Sequence, residues 1–143
     1  MIQVLTGVQN TAAALTAEQT RLDVISENIA NANTSKGVDG KPYQRQVVVF
    51  EQALQQAMNN NDGSVQMPPI QVARVEKDTA PPIKIYEPGN PDADENGMVS
   101  MPNINVNEEM ADLISASRTF EANLAVIKND RAMAMETLAI GKH

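Results

Sequence analysis

The chain is 143 residues long, carries a formal net charge of −7 and contains no cysteine, which excludes disulfide bridges and thiolate chemistry. This length allows one domain, and the acidic balance argues against nucleic-acid binding because phosphates would meet few basic side chains. Aromatic residues make up only 3% of the chain, so the large side chains that anchor most globular cores are nearly absent.

The first predicted element is a helix from residue 4 to about residue 32. Apolar residues recur along it at the seven-residue spacing of a coiled-coil seam, at Val8, Leu15, Leu22 and Ile29. The Asn-rich run from Asn28 to Asn33 has poor helix propensity and predicts that the helix ends in a loop. The first residues lack the basic and apolar regions of a cleaved secretory signal, and no run reaches the ~18 apolar residues of a membrane span.

Between residues 36 and 105 the pattern changes to short β-prone runs separated by turn residues. Strands are predicted at residues 43–50, 70–75 and 83–86, with a short helix at 51–58 and a polar loop at 59–63. Two or three short strands do not form a stable sheet alone. We therefore expect a small β insert set against the helices.

The last third of the chain, Asn107 to Gly141, predicts a single long helix. Asn105 or Asn107 can cap its start, and the acidic side chains of the first turn complement the helix dipole. Its heptad positions are Met110, Leu113, Ser117, Phe120, Leu124, Ile127, Arg131, Ala134 and Leu138, and most of them are apolar. At about 1.5 Å per residue the helix would be roughly 45–50 Å long, which exceeds the span of a compact domain of this size. The seam therefore requires a partner of similar length.

Together these elements predict a mainly α-helical protein with a short antiparallel β region, in which the N- and C-terminal helices pair as a coiled coil. The expected segments are an N-terminal assembly helix at residues 1–35, a β-rich insert at 36–105 and a C-terminal assembly helix at 106–143. Backbone ordering costs on the order of 1–2 kcal/mol per residue, and the few seam residues, at about 1.5–3 kcal/mol each, do not offset it. We therefore expect both termini to be largely disordered in the monomer and to fold on assembly.

Few residues suggest chemistry. Residues 92–97 match the first half of an EF-hand calcium loop, but the twelfth position, which requires a bidentate acid, is Asn103. An acidic surface turn is the simpler interpretation. The single histidine is the terminal His143, and no serine has a histidine near it in the sequence. We predict no catalytic residue, cofactor, metal ion or small-molecule substrate.

Several segments carry a family resemblance. Near the N-terminus they are Arg21-Leu-Asp-Val24 and Ser26-Glu-Asn-Ile-Ala-Asn-Ala-Asn33, and the most specific are Gly97-Met-Val-Ser-Met-Pro-Asn-Ile-Asn-Val106 and Ser115-Ala-Ser-Arg-Thr-Phe-Glu-Ala-Asn123. They resemble the bacterial flagellar basal-body rod proteins. The run Thr34-Ser-Lys-Gly37, which departs from the Thr-x-Gly-aromatic pattern of rod and hook relatives, resembles the FlgC-type proximal rod subfamily more than the distal rod or hook.

The resemblance implies a structural subunit of the proximal rod, part of the axial drive shaft that transmits motor torque. It implies export without a cleaved signal by the flagellar type III export apparatus, into a rod that spans the periplasm. The implied partners are other proximal rod subunits, the distal rod, the rod-base adaptor and further copies of this chain. The expected assembly interface comprises the two seams and the Asn-rich run: Val8, Leu15, Leu22, Asn28, Ile29, Asn31, Met110, Leu113, Phe120, Leu124, Ile127 and Leu138.

Other interpretations stay open on the residues alone. The two helices could form a stable antiparallel hairpin in a soluble adaptor or chaperone, and residues 92–97 could belong to an acidic calcium-binding module. The pattern does not decide whether the helices pair within one subunit or between subunits. Arg118 and Arg131 are either solvated charges or inter-subunit ion-pair partners for Glu18, Asp23 or Glu27.

Overall fold

The computed structural model describes residues 2–52 and 70–140, which form two long helices separated by four short strands. Helix α1 spans Ile2–Ala30 and helix α2 spans Val106–Ile140. The strands are β1 (Gln46–Gln52), β2 (Ile70–Lys77), β3 (Ile83–Tyr86) and β4 (Met98–Met101). The fold is mainly helical with a small β part, as the sequence predicts.

Asparagine side chains form hydrogen bonds at the C-terminal end of α1 and at the N-terminal start of α2. Asn105 is the cap of α2: its Oδ1 accepts a hydrogen bond from the Asn107 N–H at 3.1 Å, and its carbonyl accepts the Glu109 N–H at 3.0 Å. This arrangement satisfies donors that the first helical turn leaves free. At the end of α1, Asn31 Nδ2 donates to the Glu27 carbonyl at 2.9 Å. The Asn-rich run therefore leaves the helix through hydrogen-bonded turns.

The two helices pack against each other within one chain and run antiparallel. The end of α1 meets the start of α2, where Asn28 hydrogen-bonds to Glu109. Further from these ends, Arg21, about two turns before Asn28, lies 4.0 Å from Asp112, about one turn after Glu109. We call this end of the helix pair, which comprises residues 17–30 of α1 with the turn residues 31 and 32 and residues 109–116 of α2, the base. Residues 132–140 of α2, at the opposite end, are called the tip.

The strands form two separate two-stranded antiparallel sheets, β1 with β2 and β3 with β4. Both strands of the first sheet contact α1, and the β1–β2 register shifts between Val49 and Phe50. The sequence pattern does not predict β4, because Met98-Val-Ser-Met101 does not alternate apolar and polar residues as the equally short β3 does. The helix predicted at 51–58 is wrong at its start, since Glu51 and Gln52 continue β1. Residues 53–58 and the predicted loop at 59–63 lie outside the described residues.

Buried side chains are concentrated at the base and in the adjoining insert. They include Ala17, Val24, Ile25, Asn28, Ala32, Val99, Glu109 and Ala116. From residue 117 to residue 140 of α2, no side chain is buried, and the same holds for the described side chains of α1 before Ala17. Among the side chains that the structure describes, those buried in the helix pair therefore lie at one end of it. In the part of the chain that the structure describes, neither helix is both long and apolar enough to cross a membrane.

Candidate assembly interface

A buried polar cluster around Asn28 holds the base together. The Asn28 side chain is 1% exposed, and its Nδ2 donates to the Gln46 carbonyl at 2.8 Å and to Glu109 Oε2 at 3.1 Å. Its Oδ1 accepts the Gln46 N–H at 2.9 Å and the Tyr43 hydroxyl at 3.1 Å. An asparagine amide has two donor and two acceptor positions, so its hydrogen-bonding capacity is fully used inside the chain.

Glu109 contributes a buried carboxylate to the same cluster. Its side chain is 1% exposed, and Oε1 accepts a hydrogen bond from Arg45 Nε at 2.6 Å. Burial of the Arg45 guanidinium lowers its pKa, but the hydrogen bond and charge of Glu109, with the charges of Asp78 and Asp112, raise the pKa above its ordinary value. Burying a carboxylate is costly unless it is paired. The Glu109 carboxylate can therefore be buried here because Arg45 and Asn28 donate hydrogen bonds to it.

The cluster joins four parts of the chain at one point: α1, the segment before β1, β1 itself and α2. Its members, which we call the base cluster, are Asn28, Tyr43, Arg45, Gln46 and Glu109. Burial raises the pKa of the Tyr43 hydroxyl, a hydrogen bond from Gln46 lowers it, and the charges of Glu27 and Glu109 raise it further, with a net increase. The base cluster thus ties the β insert to the junction of the two helices.

The predicted interface residues divide by their exposure. Asn28 is buried, and Leu15, Leu22, Ile29, Asn31, Leu113, Phe120 and Ile127 are half-buried. Met110, Leu124 and Leu138 are 50%, 37% and 60% exposed. The side chain of Val8 lies outside those that the structure describes. Part of the predicted α2 seam therefore packs inside the chain and part remains open to solvent.

The face of α2 that is buried at the base differs from the predicted seam by one residue. Its buried positions, Glu109 and Ala116, each immediately precede a predicted seam position, Met110 and Ser117. One residue corresponds to about 100° of rotation around a helix. The exposed positions of the predicted seam therefore lie to one side of the buried face, while its half-buried positions, such as Leu113, lie beside that face. The helix has apolar surface left over after it has packed against α1.

The tip carries the most exposed of the large apolar side chains of α2. Met133 is 58% exposed, Met135 62%, Leu138 60% and Ile140 73%. At about 100° per residue, Met133 and Ile140 lie within about 20° of each other, and Met135 and Leu138 lie on the opposite side of the helix. One packing partner covers a single apolar stripe of a helix, so α1 cannot cover both sides. The tip is therefore a surface that requires a partner.

Residues 92–97 lie in the turn between β3 and β4. Asp94 Oδ1 accepts the Met98 N–H at 3.0 Å and the Asn96 N–H at 2.8 Å, and these hydrogen bonds hold the pKa of Asp94 below its ordinary value. Gly97 follows with a φ of +73°, which a glycine adopts readily. Among the described residues, no group of three or more His, Cys, Asp or Glu side chains is placed to hold a metal ion. In this structure the segment is a turn closed by its own carboxylate.

Sequence reasoning missed three members of the base cluster, Tyr43, Arg45 and Gln46, and interpreted Glu109 through the helix dipole alone. Arg45 comes from a segment with no periodic pattern, so only the folded chain brings it to Glu109. Arg118 and Arg131 are exposed, and neither forms an ion pair within residues 2–52 and 70–140.

Comparison with known proteins places these features in a family. A family model described as "Flagella basal body rod protein" matches residues 9–35, which contain Asn28, and one described as "Flagellar basal body rod FlgEFG protein C-terminal" matches residues 95–140, which contain Glu109. The flagellar basal-body rod protein FlgC of Salmonella typhimurium is 42% identical over 130 residues, covering 91% of this chain and 92% of that protein.

Two further relatives come from other bacteria. The flagellar basal-body rod protein FlgC of Borreliella burgdorferi is 41% identical over 140 residues, covering 88% of this chain and 90% of that protein. The corresponding protein of Bacillus subtilis is 34% identical over 142 residues, covering 92% and 93%. The chain therefore belongs to the FlgC family of flagellar basal-body rod proteins and is a structural subunit of the bacterial flagellar basal-body rod.

Proposed function

We propose that this subunit builds the proximal part of the rod, with other rod proteins and with its own copies, and so forms part of the shaft that transmits motor torque. It is exported without a cleaved signal by the flagellar type III export apparatus and assembles across the periplasm. The proposal gives the chain no catalytic role. The observation that carries it is the one-sided core: α2 continues from residue 117 to residue 140 without a buried side chain.

Within the assembly, residues 1–35 and 106–143 form the rod core, and residues 36–105 form an insert that the base cluster holds in place. The helices pair as a coiled coil. This is supported by the buried positions at the base, since Ala17 and Val24 are seven residues apart, as are Glu109 and Ala116. The open seam of α2, with Met110, Leu124 and Leu138, is the surface offered to neighbouring subunits.

A soluble adaptor with a stable helical hairpin would also place α1 against α2 in one chain. Such a protein would cover its apolar residues by itself, because an exposed apolar surface on a free monomer promotes aggregation. The exposed tip and the family membership both favour the rod subunit.

Genetic replacement tests the proposal. A motile bacterium from which its own FlgC protein has been removed is supplied with this chain, and basal bodies are isolated. We expect the chain to be present in rods, and motility to return at least in part. A chain that accumulates in the cell while the isolated basal bodies lack it and stop before the rod would contradict the proposed function.

A further inference from the structure

A groove opens at the base between α1, β1 and the start of α2. Its volume is about 270 Å³, and its lining includes the apolar side chains of Val24, Ile25, Val48 and Phe50. Phe50, one of only two phenylalanines in the chain, is 39% exposed there, although large apolar side chains are usually buried. This volume lies at the lower limit of small-molecule sites, roughly 300–1,000 Å³, and suits a few side chains of a protein segment.

The charged groups of the groove are already neutralised. Arg45 pairs with Glu109 at 2.6 Å, and Arg21 lies 4.0 Å from Asp112. A charged occupant would therefore find no unpaired counter-charge among these four side chains, and its burial would be unfavourable. The groove fits an uncharged, apolar segment.

The tip is a mostly uncharged, apolar segment of this kind. Residues 132–140 contain one charged side chain, Glu136, and the part of α1 from residue 2 to residue 17 contains none. The exposed apolar side chains of the tip include two methionines, whose unbranched chains adapt to irregular cavities. The 31 residue steps from Glu109 to Ile140 in α2 separate tip and groove by about 46 Å at 1.5 Å per step, so the tip does not reach the groove of its own chain.

We propose that the tip of one copy inserts into the base groove of a second copy, so that the chains join head to tail. This inference rests on the proposed function and specifies which two surfaces meet within it. Groove and tip are different surfaces at opposite ends of the molecule, so the contact is heterologous and generates an open array. It also lets chains with a net charge of −7 meet without placing like charges against each other.

Cysteine crosslinking tests the contact directly, because the chain has no cysteine of its own. The full-length double variant Phe50→Cys/Ile140→Cys is expressed in place of the native FlgC protein, and isolated basal bodies are mildly oxidised. We expect a ladder of disulfide-linked dimers, trimers and longer chains, and no ladder from either single variant. The matched control is Phe50→Cys/Ile114→Cys, because Ile114 is an apolar α2 residue that is 56% exposed but lies outside the tip.

A second groove position protects the test against a folding defect at Phe50. Val47, which also lines the groove and is 38% exposed, replaces Phe50 in the variant Val47→Cys/Ile140→Cys. If neither double variant enters basal bodies, mixtures of the purified single variants are oxidised at high concentration, where mixed dimers are expected to exceed like dimers.

The results separate this inference from the proposed function. Basal bodies that contain the double variants but yield no ladder would overturn the head-to-tail contact while the rod function stands. Dimers from Ile140→Cys alone would indicate tip-to-tip pairing and would also overturn it. Exclusion of the unsubstituted chain from basal bodies would instead count against the rod function.

Discussion

Asn28 Nδ2 in α1 lies 3.1 Å from Glu109 Oε2 in α2, and both side chains are 1% exposed. This hydrogen bond joins residues 81 positions apart and fixes the end of the first helix against the start of the second. Arg45, 2.6 Å from the other carboxylate oxygen, brings the β insert to the same point. The base is thus ordered by interactions within one chain, in contrast to the tip.

The first prediction concerns the charge of Glu109. In Glu109→Gln the base cluster loses the carboxylate that faces Arg45 and Asn28, and one of their donors is left without an acceptor. We expect the free energy of unfolding to fall by about 1–3 kcal/mol, measured by urea denaturation. The control is Glu108→Gln, which removes an exposed charge from the same helical turn and should cost at most about 1 kcal/mol. Equal losses would reduce the role of Glu109 to its effect on the helix dipole.

Tyr43 makes the base sensitive to alkaline pH. Burial raises its pKa above the ordinary value of 10.0, so folding favours the neutral phenol. Its contribution to stability is therefore complete below pH 10.0 and is lost as the pH rises through the higher folded-state pKa. We expect the difference in unfolding free energy between the unsubstituted chain and Tyr43→Phe to stay constant at lower pH and to shrink as the pH rises above 10.0. A constant difference would show that the Tyr43 hydroxyl titrates as it does in water.

The open seam of α2 is tested by Leu124→Asp. Leu124 is 37% exposed in the single chain, so an aspartate there is tolerated before assembly and becomes a buried, unpaired charge only in the rod. We expect normal export and base folding but loss of rod assembly and of motility. Asn129→Asp adds the same charge at an exposed position of α2 outside the seam and should remain motile. Full motility of the Leu124→Asp strain would remove this position from the interface.

We expect Asp94 to stabilise the turn between β3 and β4 but not to contribute to rod assembly. Asp94→Ala removes the acceptor of the Asn96 and Met98 N–H groups, so these two amides should exchange faster with solvent while motility is unchanged. Because the pKa of Asp94 is lowered, its support of the turn is present at neutral pH and is lost only as the pH falls through that lowered value. A non-motile Asp94→Ala strain, or a structural response to added calcium, would reopen the metal-site interpretation.

The sequence predicts the helices well because their apolar heptad spacing repeats over many residues and their caps are set by neighbouring residues. The predicted start of α2 at Asn107 differs by one residue from the observed Val106, and Asn105 was one of two candidate caps. The third predicted strand, 83–86, matches β3. In contrast, β4, which is as short as β3, lacks the alternation of apolar and polar residues, and β1 extends into residues assigned to a helix.

The base cluster was not predictable from periodicity. A count of apolar heptad positions passes over Glu109 because it is charged, although the fold buries it. The burial of the Glu109 carboxylate is tolerated because Arg45, 64 residues away in the sequence, pairs with it, and no local sequence pattern connects these two residues. Exposed seam positions of α2 such as Met110 consequently lie one residue from the buried positions at the base, and the division between intrachain and open surface is visible only in the structure.

The disorder of the termini in the monomer remains a prediction. Because the described buried side chains of the helix pair lie at the base, we expect this disorder only at the ends of the helices away from the base. Amide hydrogen exchange on the dilute full-length chain and on assembled rods tests it most directly. In the monomer we predict protection at residues 24–28 and 109–116 and little protection at 120–140. In rods, residues 120–140 should become at least about a hundredfold slower to exchange. Strong protection of residues 120–140 in the monomer, unchanged by assembly, would contradict the account.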